Sequence, residues 1–330
     1  MRILIAGAGA VGGCYGAKLQ LSGQDVSFLA RGAHLSALRE RGLSIRSEEG
    51  ELHLQHVHAD DHAPADSPAD FVLFCVKTYD NESAALAIAD AVDDGTAICS
   101  LQNGVDNESF LQERFPRAVV LGGTSRIEAF VHSPGVVVQR DVELDVTIGA
   151  FRLQDRPVAA RIGTAFDAAG FPVTLAADIV GALWLKLLAI CGLGGITAYA
   201  ARPIGEVLRD RELARLFRAV MDEVAAVAAR RGISLPPNLP ELVFARARTT
   251  LNPRFLSSIA RDVLAGRPLE VEALNGAVVR YGEDAGVPTP ANRTILDRLL
   301  PLHRRALATP ERRTDRRRSL RPERSVDHRS

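Results

Sequence analysis

The chain has 330 residues, 40 Lys+Arg against 40 Asp+Glu, and 47% hydrophobic residues. That length is enough for two domains with a sizeable core, and the balanced charge gives no reason to expect nucleic acid or an anionic membrane as a partner. Cys14, Cys75, Cys99 and Cys191 are widely spaced in apolar runs, the pattern of reduced thiols in a cytoplasmic protein rather than of a disulfide framework or a zinc site.

The first 31 residues organise the rest. Arg2–Ala6 is an apolar run of strand length, and Gly7-Ala8-Gly9-Ala10-Val11-Gly12 follows it directly. In a dinucleotide site the three glycines of G-x-G-x-x-G have separate jobs. Gly7 permits a tight turn, Gly9 lets backbone amides approach a pyrophosphate, and Gly12 lets the following helix pack close to the strand. Helical spacing runs through Val11, Tyr15, Leu19 and Leu21 until Ser22-Gly23 stops it. Asp25–Ala30 reads as the second strand of a βαβ half-unit. Nothing resembles a signal peptide, because the apolar start runs into glycines, and no apolar stretch is expected to be long enough to span a bilayer.

An NAD site places Asp or Glu at the end of that second strand, where it accepts bonds from the ribose 2′-hydroxyl. Here the position holds Arg31. A guanidinium suits a 2′-phosphate through bidentate, charge-assisted bonds, so the expected cofactor is NADPH.

Further along, Gly32–Arg41 reads as a short helix, and Leu43–Arg46 with Glu51–Leu54 as a hairpin around Glu48-Glu49-Gly50. His53, His56, His58 and His62 have no fixed third-ligand spacing, so a polar edge strand and exposed loop are expected there rather than a metal site. Phe71–Val76 is a buried strand that ends at Lys77, and Ala97–Leu101 is another that exits into Gln102-Asn103-Gly104-Val105. Both exits fall at the carboxyl ends of strands, where open α/β sheets bind ligands. A helix is expected over Asp80–Val92 and a further strand over Arg117–Gly123. Val136–Gln139 and Val142–Ile148 are expected to pair antiparallel, followed by a helix over Arg156–Gly170 and a strand over Phe171–Leu175.

From Asp178 the pattern is helical, over Asp178 to about Ala198, Ile204–Arg231, Pro240–Thr249, Ser257–Leu264 and Val271–Ala285. The fold class is therefore α/β, a Rossmann-type domain followed by an all-helical one. The expected division is 1–176, 177–308 and a charged, disordered tail over 309–330. Only Lys18, Lys77 and Lys186 are lysines. In so arginine-rich a chain, a retained lysine suggests a site that needs a compact charge with a tunable proton.

These motifs together resemble the ketopantoate reductase (2-dehydropantoate 2-reductase) family over nearly the whole chain except the tail. The resemblance rests on the glycine motif, Arg31, Cys75-Val76-Lys77-Thr78, Gln102-Asn103-Gly104 and Ser133-Pro134-Gly135. It continues through Trp184-Leu185-Lys186-Leu187, Ser257-Ser258, Ala265-Gly266-Arg267 and Glu270 to Asn275-Gly276. It implies a cleft between the two domains in which ketopantoate is reduced to pantoate, in pantothenate and coenzyme A biosynthesis. Lys186 would be the catalytic acid, Glu270 the carboxylate paired with it and with substrate, and Asn103 the residue that positions nicotinamide and lysine. Ser258 would bind the substrate carboxylate, while Arg31 and Lys77 would hold the 2′-phosphate. No metal is implied, and the chain would act as a monomer or homodimer on a small 2-oxoacid.

The chemistry agrees, since hydride addition leaves negative charge on oxygen and calls for a positive donor in a site that excludes water. One departure bears on the substrate. The family carries asparagines four and eight residues after the lysine, on the same helix face, and here those positions hold Ile190 and Gly194. Lost amides change selectivity strongly, so a paralogous reductase of a different oxoacid is the alternative. A non-catalytic NADPH sensor is the alternative from another class.

Overall fold

The computed structural model describes residues 1–64, 68–140 and 145–309; apart from Thr309, the expected tail lies outside the described residues. The strands are β1 (Arg2–Ala6), β2 (Asp25–Leu29), β3 (Leu43–Ser47), β4 (Gly50–Leu54), β5 (His58–Asp60) and β6 (Phe71–Phe74). They continue as β7 (Ala97–Ser100), β8 (Val119–Arg126), β9 (Ala129–Ser133), β10 (Val136–Gln139), β11 (Asp145–Ala150) and β12 (Val173–Leu175). Among them run the helices α1 (Ala10–Leu21), α2 (Gly32–Arg41), α3 (Asn81–Ile88), α4 (Asn107–Arg114) and α5 (Arg156–Ala168). Beyond β12 the chain is helical, with α6 (Ile179–Ala189), α7 (Gly195–Ala200), α8 (Ile204–Arg209) and α9 (Arg211–Arg230). The last four are α10 (Leu239–Thr249), α11 (Ser258–Leu264), α12 (Asn275–Ala285) and α13 (Pro290–Leu307).

Eight strands form one sheet in the order β12-β11-β8-β7-β6-β1-β2-β5. From β5 to β8 every neighbouring pair is parallel. The chain leaves β2 on one side of β1 and returns as β6 on the other, which makes the carboxyl ends of β1 and β6 the switch point where such sheets hold ligands. Both faces are covered: Ile3 and Ile5 of β1 join one apolar cluster, Leu4 and Ala6 the other, as expected of parallel strands that read as unbroken apolar runs.

Two glycines seat α1. A Cβ on Gly12 would collide with the Gly7 carbonyl and come 2.8 Å from the Ile5 side chain. Gly7 itself has φ +99°, a conformation that other residues rarely adopt.

Strand pairing departs from expectation around β10. It does not pair with the segment that follows it. Instead β10 is antiparallel to β9 and parallel to β3, in a separate sheet of order β4-β3-β10-β9. Ser133-Pro134-Gly135 is the turn that makes this hairpin, with Gly135 at φ +81°. The strand β11 runs antiparallel to β8, and the stretch 141–144 before it lies outside the described residues. Helices α4 and α13 and strand β9 were not anticipated. The helix expected over Ile204–Arg231 is broken at Asp210, whose carboxylate accepts bonds from the amides of Glu212 and Leu213 and caps α9.

One expectation fails outright. Ile179–Ala200 is 22 residues long and apolar enough to cross a membrane by length and composition. It is nevertheless a core element, more than half buried. Trp184, Leu187 and Leu188 pack with Phe217, Val220 and Met221 of α9 in the cluster that holds the helical half together. Burial on most sides makes such a helix apolar nearly all round.

Candidate active site

The glycine loop is built from close contacts. The Ala8 amide donates to the Leu29 carbonyl at 2.8 Å, and Gly9 caps α1. At Gly9 an added Cβ would meet nothing within 4 Å, so its face of the loop is open to a ligand backbone. The first amides of α1 lack intrahelical acceptors, as at any helix N-terminus, and are available to an anion.

His34, which sequence reasoning missed, braces this loop. Its Nε2 lies 2.7 Å from the Ala8 carbonyl, while its Nδ1 accepts from the Gly135 amide at 3.1 Å. The Gly135 bond assigns the tautomer, with the proton on Nε2. Burial lowers its proton affinity, partly offset by the Ala8 bond. The Ser133-Pro134-Gly135 motif thus supports the glycine loop from outside. Only the fold brings these three segments together, so nothing in the local pattern signals it.

Arg31 closes β2 and caps α2. Among the described residues its guanidinium has no ion pair or hydrogen bond, so it is free to take an anion beside the loop.

At the switch point, Lys77 and Glu270 meet. Lys77 Nζ lies 2.6 Å from Glu270 Oε2, and the Thr78 amide donates to Glu270 Oε1 at 3.2 Å. The Glu270 side chain is 4% exposed and that of Lys77 42%. Burial disfavours the Lys77 ammonium, but the charge and hydrogen bond of Glu270, with the charges of Asp262 and Tyr79, together outweigh it and raise its proton affinity. Glu270 was expected to pair with Lys186; it is bonded to Lys77 instead. The reason is that an ammonium and an amide at the end of β6 satisfy both carboxylate oxygens at once. Lys77, expected beside the 2′-phosphate, is engaged on that carboxylate in this structure.

Lys186 lies in the last turn of α6, half-buried. Among the described residues it has no hydrogen bond or ion pair. Desolvation lowers its pKa to about 8, opposed by the charges of Glu270, Asp145, Glu108 and Cys75. An unpartnered ammonium near its titration point at neutral pH is suited to give up a proton.

Asn103 sits at the exit of β7. Its carbonyl accepts from the Asn107 side chain at 3.1 Å, and its own amide side chain makes no bond among the described residues. Gln102 behind it donates 2.7 Å bonds to the Val76 carbonyl and to Asn81 Oδ1, which ties the exits of β6 and β7 together. Ser258 opens α11, exposed, and its hydroxyl makes no hydrogen bond among the described residues.

After Lys186 the helix changes form: Ile190–Gly194 is a π-helical turn between α6 and α7. Such turns displace carbonyls from the regular ladder, and side chains from elsewhere take them up. Asn275 Nδ2 donates to the Cys191 carbonyl at 3.5 Å, Thr197 Oγ1 to that of Leu193 at 2.6 Å, and Ser257 Oγ to that of Gly194 at 3.4 Å. Asn292 in turn holds Asn275 at 2.9 Å. Ser257 and Asn275 are motif residues that serve this backbone. A Cβ on Gly194 would lie 3.3 Å from Ile259 Cδ1 and 3.4 Å from Ile190 Cγ2, so that stretch of wall is apolar.

Among the described residues, ion pairs join the sheet and helical halves at Lys77–Glu270, at Arg261–Glu128 (2.6 Å) and at Arg280–Asp106 (2.7 Å). Asp106 also accepts a bond from the Tyr281 hydroxyl. The four histidines from His53 to His62 lie on separate elements, and among the described residues no group of three or more His, Cys, Asp or Glu could hold a metal ion.

Comparison with known proteins agrees with this geometry. Residues 3–152 match the family described as ketopantoate reductase PanE/ApbA, and residues 178–302 match its C-terminal family. A 2-dehydropantoate 2-reductase of Archaeoglobus fulgidus is 35% identical over 297 residues, 90% of this chain and 96% of that protein. One from Halobacterium salinarum is 33% identical over 301 residues, 90% of this chain and 97% of that protein. A crystal structure of a PanE/ApbA family ketopantoate reductase from Ralstonia eutropha superposes with a TM-score of 0.84 at 33% identity, covering 93% of this chain and 99% of that one. A D-mandelate dehydrogenase with NADH shares the fold, with a TM-score of 0.87 at 20% identity. The chain is an oxidoreductase that belongs to the ketopantoate reductase family.

Proposed function

We propose that the protein reduces 2-dehydropantoate to pantoate with NADPH, using Lys186 as general acid. The observation that carries this reading is Lys186 itself, a half-buried ammonium with no hydrogen bond or ion pair among the described residues, whose pKa is lowered to about 8. The residues present fit the cofactor: the groove at Gly9 is open, the first α1 amides are available to an anion, and the Arg31 guanidinium is free for a 2′-phosphate. When bound, NADPH supplies the hydride.

The remaining work falls to the chain. Gly7, Ala8, Gly9, Ala10, Val11 and Gly12 wrap the pyrophosphate. Arg31 holds the 2′-phosphate, and Lys77 joins it when it leaves Glu270. Asn103 orients the nicotinamide against the substrate carbonyl, and Ser258 takes the substrate carboxylate. Lys186 hydrogen-bonds the ketone oxygen and gives it a proton as charge develops there, an electrostatic role worth most in a site closed to water. Glu270, once released from Lys77, faces Lys186 and the substrate. The domain division that goes with this reading is 1–176 for cofactor and 177–308 for substrate, with 309–330 as a charged tail. The protein works in the cytoplasm, without nucleic-acid or membrane partners.

A second reading is favoured by the Ile190, Gly194 and Ile259 wall, which offers no amide to a substrate hydroxyl. It keeps the chemistry and exchanges the substrate for a more apolar 2-oxoacid. NADPH oxidation with ketopantoate and with branched and aromatic 2-oxoacids, on wild type and Lys186→Ala, separates the two. Lysine-dependent turnover of ketopantoate at the rate of a good reductase establishes the first reading. Turnover of another oxoacid alone establishes the second, and NADPH binding with no turnover of any oxoacid overturns both in favour of a sensor.

A further inference from the structure

Two groups of the proposed site come from different parts of the chain. Asn103 belongs to the loop after β7, and Lys186 to α6 of the helical half. Although that loop follows a strand of the sheet, it packs against the helices. A Cβ on Gly104, at φ +112°, would lie 3.0 Å from the Ala273 carbonyl, and Val105 packs against the helical core cluster. Asp106 then accepts bonds from Arg280 Nη2 at 2.7 Å on Oδ2 and from the Tyr281 hydroxyl on Oδ1. The Tyr281 ring lies in turn against Trp184 of α6, with ring centroids 5.7 Å apart at 49°, and the Arg231 guanidinium carbon lies 4.0 Å from its centroid. Trp184 is 3% exposed and stands two residues before Lys186. Two residues turn an α-helix by about 200°, so seating Trp184 in the core turns Lys186 to the opposite side of α6.

We propose that Tyr281 is a positioning residue that holds the Asn103 loop and the Lys186 helix in one register, its hydroxyl on the loop and its ring on the helix, so that nicotinamide and proton donor meet the same carbonyl. This role depends on Asn103 and Lys186 acting in the proposed reduction. The two bonds to Asp106 are not equivalent. The Arg280 side chain is 53% exposed, where an ion pair contributes little. Tyr281 is half-buried. Burial, with the Asp106 bond, pushes its pKa up to about 12, so the hydroxyl remains a donor at neutral pH. A rigid ring with a polar tip suits a spacer between a core tryptophan and a loop carboxylate. Misplacing reacting groups by about 1 Å costs up to about 10²-fold, so such a spacer acts on turnover rather than on cofactor binding.

The test is steady-state reduction, with NADPH and the oxoacid that wild type turns over, by wild type, Tyr281→Phe and Arg280→Met. Phenylalanine keeps the ring on Trp184 and removes the bond to Asp106 alone. It is expected to lower kcat about tenfold while KM for NADPH stays within about twofold of wild type. Arg280→Met removes the neighbouring bond to the same carboxylate and is expected to stay within about twofold of wild type in both. Unchanged kcat in Tyr281→Phe overturns the proposal. So does an equal loss in Arg280→Met, which would make Asp106 a plain attachment between the halves. A second measurement needs no substrate. Trp184 is the only tryptophan, so its emission reports the contact with Tyr281 directly. Tyr281→Phe is expected to shift that emission to the red and to raise its quenching by acrylamide, because a ring released from Asp106 leaves Trp184 less enclosed. Emission and quenching identical to wild type overturn the proposal. Lys186→Ala keeps the two readings apart: wild-type turnover in that variant removes Lys186 as donor, and the Trp184 emission still decides whether Tyr281 holds α6.

Discussion

The two sides of the proposed cleft are made by opposite means. The side with the glycine loop, from β1 through Gly12, is held by contact: Gly12 sits where any Cβ strikes the Gly7 carbonyl, and Gly7 at φ +99° against Val76. The Lys186 wall is held by side-chain hydrogen bonds to a helix that has departed from α geometry, with Asn275, Thr197 and Ser257 taking up carbonyls of Ile190–Gly194. A wall made by exclusion tolerates no added atom. A wall made by bonded loops tolerates changes of shape while its bonds are kept, which fits the replacement of amides by Ile190 and Gly194 there.

The sharpest way to separate the walls is Lys186→Ala. It is expected to lower kcat about 10²–10⁴-fold with NADPH affinity unchanged, as judged by steady-state rates and fluorescence titration. In wild type the reduction should weaken as pH rises through about 8. The sign follows from the chemistry, because the reaction needs the ammonium and that form is lost above the pKa. Folding has the opposite dependence: the lowered pKa means the native state binds that proton less well than the unfolded chain does, so Lys186→Met should raise Tm at neutral pH.

Gly12→Val attacks the other wall. It is expected to cost about 3 kcal/mol or more in a denaturant titration and to abolish NADPH binding, whereas a valine at Gly194 meets only movable Ile190 and Ile259 side chains and should cost much less. A smaller effect is expected of Arg31→Ala, about 10–100-fold in NADPH affinity with NADH little changed, measured by isothermal titration. Equal loss for both cofactors would remove the 2′-phosphate role. Similar in size is the effect of Asn275→Leu, which leaves the Cys191 carbonyl and Asn292 short of a partner. It should lower stability by about 1–3 kcal/mol and disturb KM for the oxoacid more than for NADPH.

Elements were legible where neighbours in sequence decide them. The apolar run before Gly7 and the stop at Ser22-Gly23 came out as read. Pairing was less legible: β10 was assigned to the wrong partner because the strand that claims it from the other side, β3, lies some 90 residues earlier. The apolar run Ile179–Ala200 was judged too short to span a bilayer, although its composition alone cannot tell a membrane span from a core helix. Of the proposed site, the glycine loop and Lys186 were singled out from motif and rarity. His34 and Tyr281 were not, since a histidine in a polar helix and a tyrosine in a helix are unremarkable until the fold surrounds them.

By itself the sequence determined the positions of most of the strands, the glycine turn, the family and the residue types offered to the proposed site, because each depends on local pattern and backbone chemistry. Only the tertiary structure decided that Glu270 bonds Lys77 across 193 residues, that the helix after Lys186 loosens into a π turn, and that Glu108 is buried. Those outcomes depend on burial and on distance between remote segments, which set how much each charge costs and which neighbour relieves it.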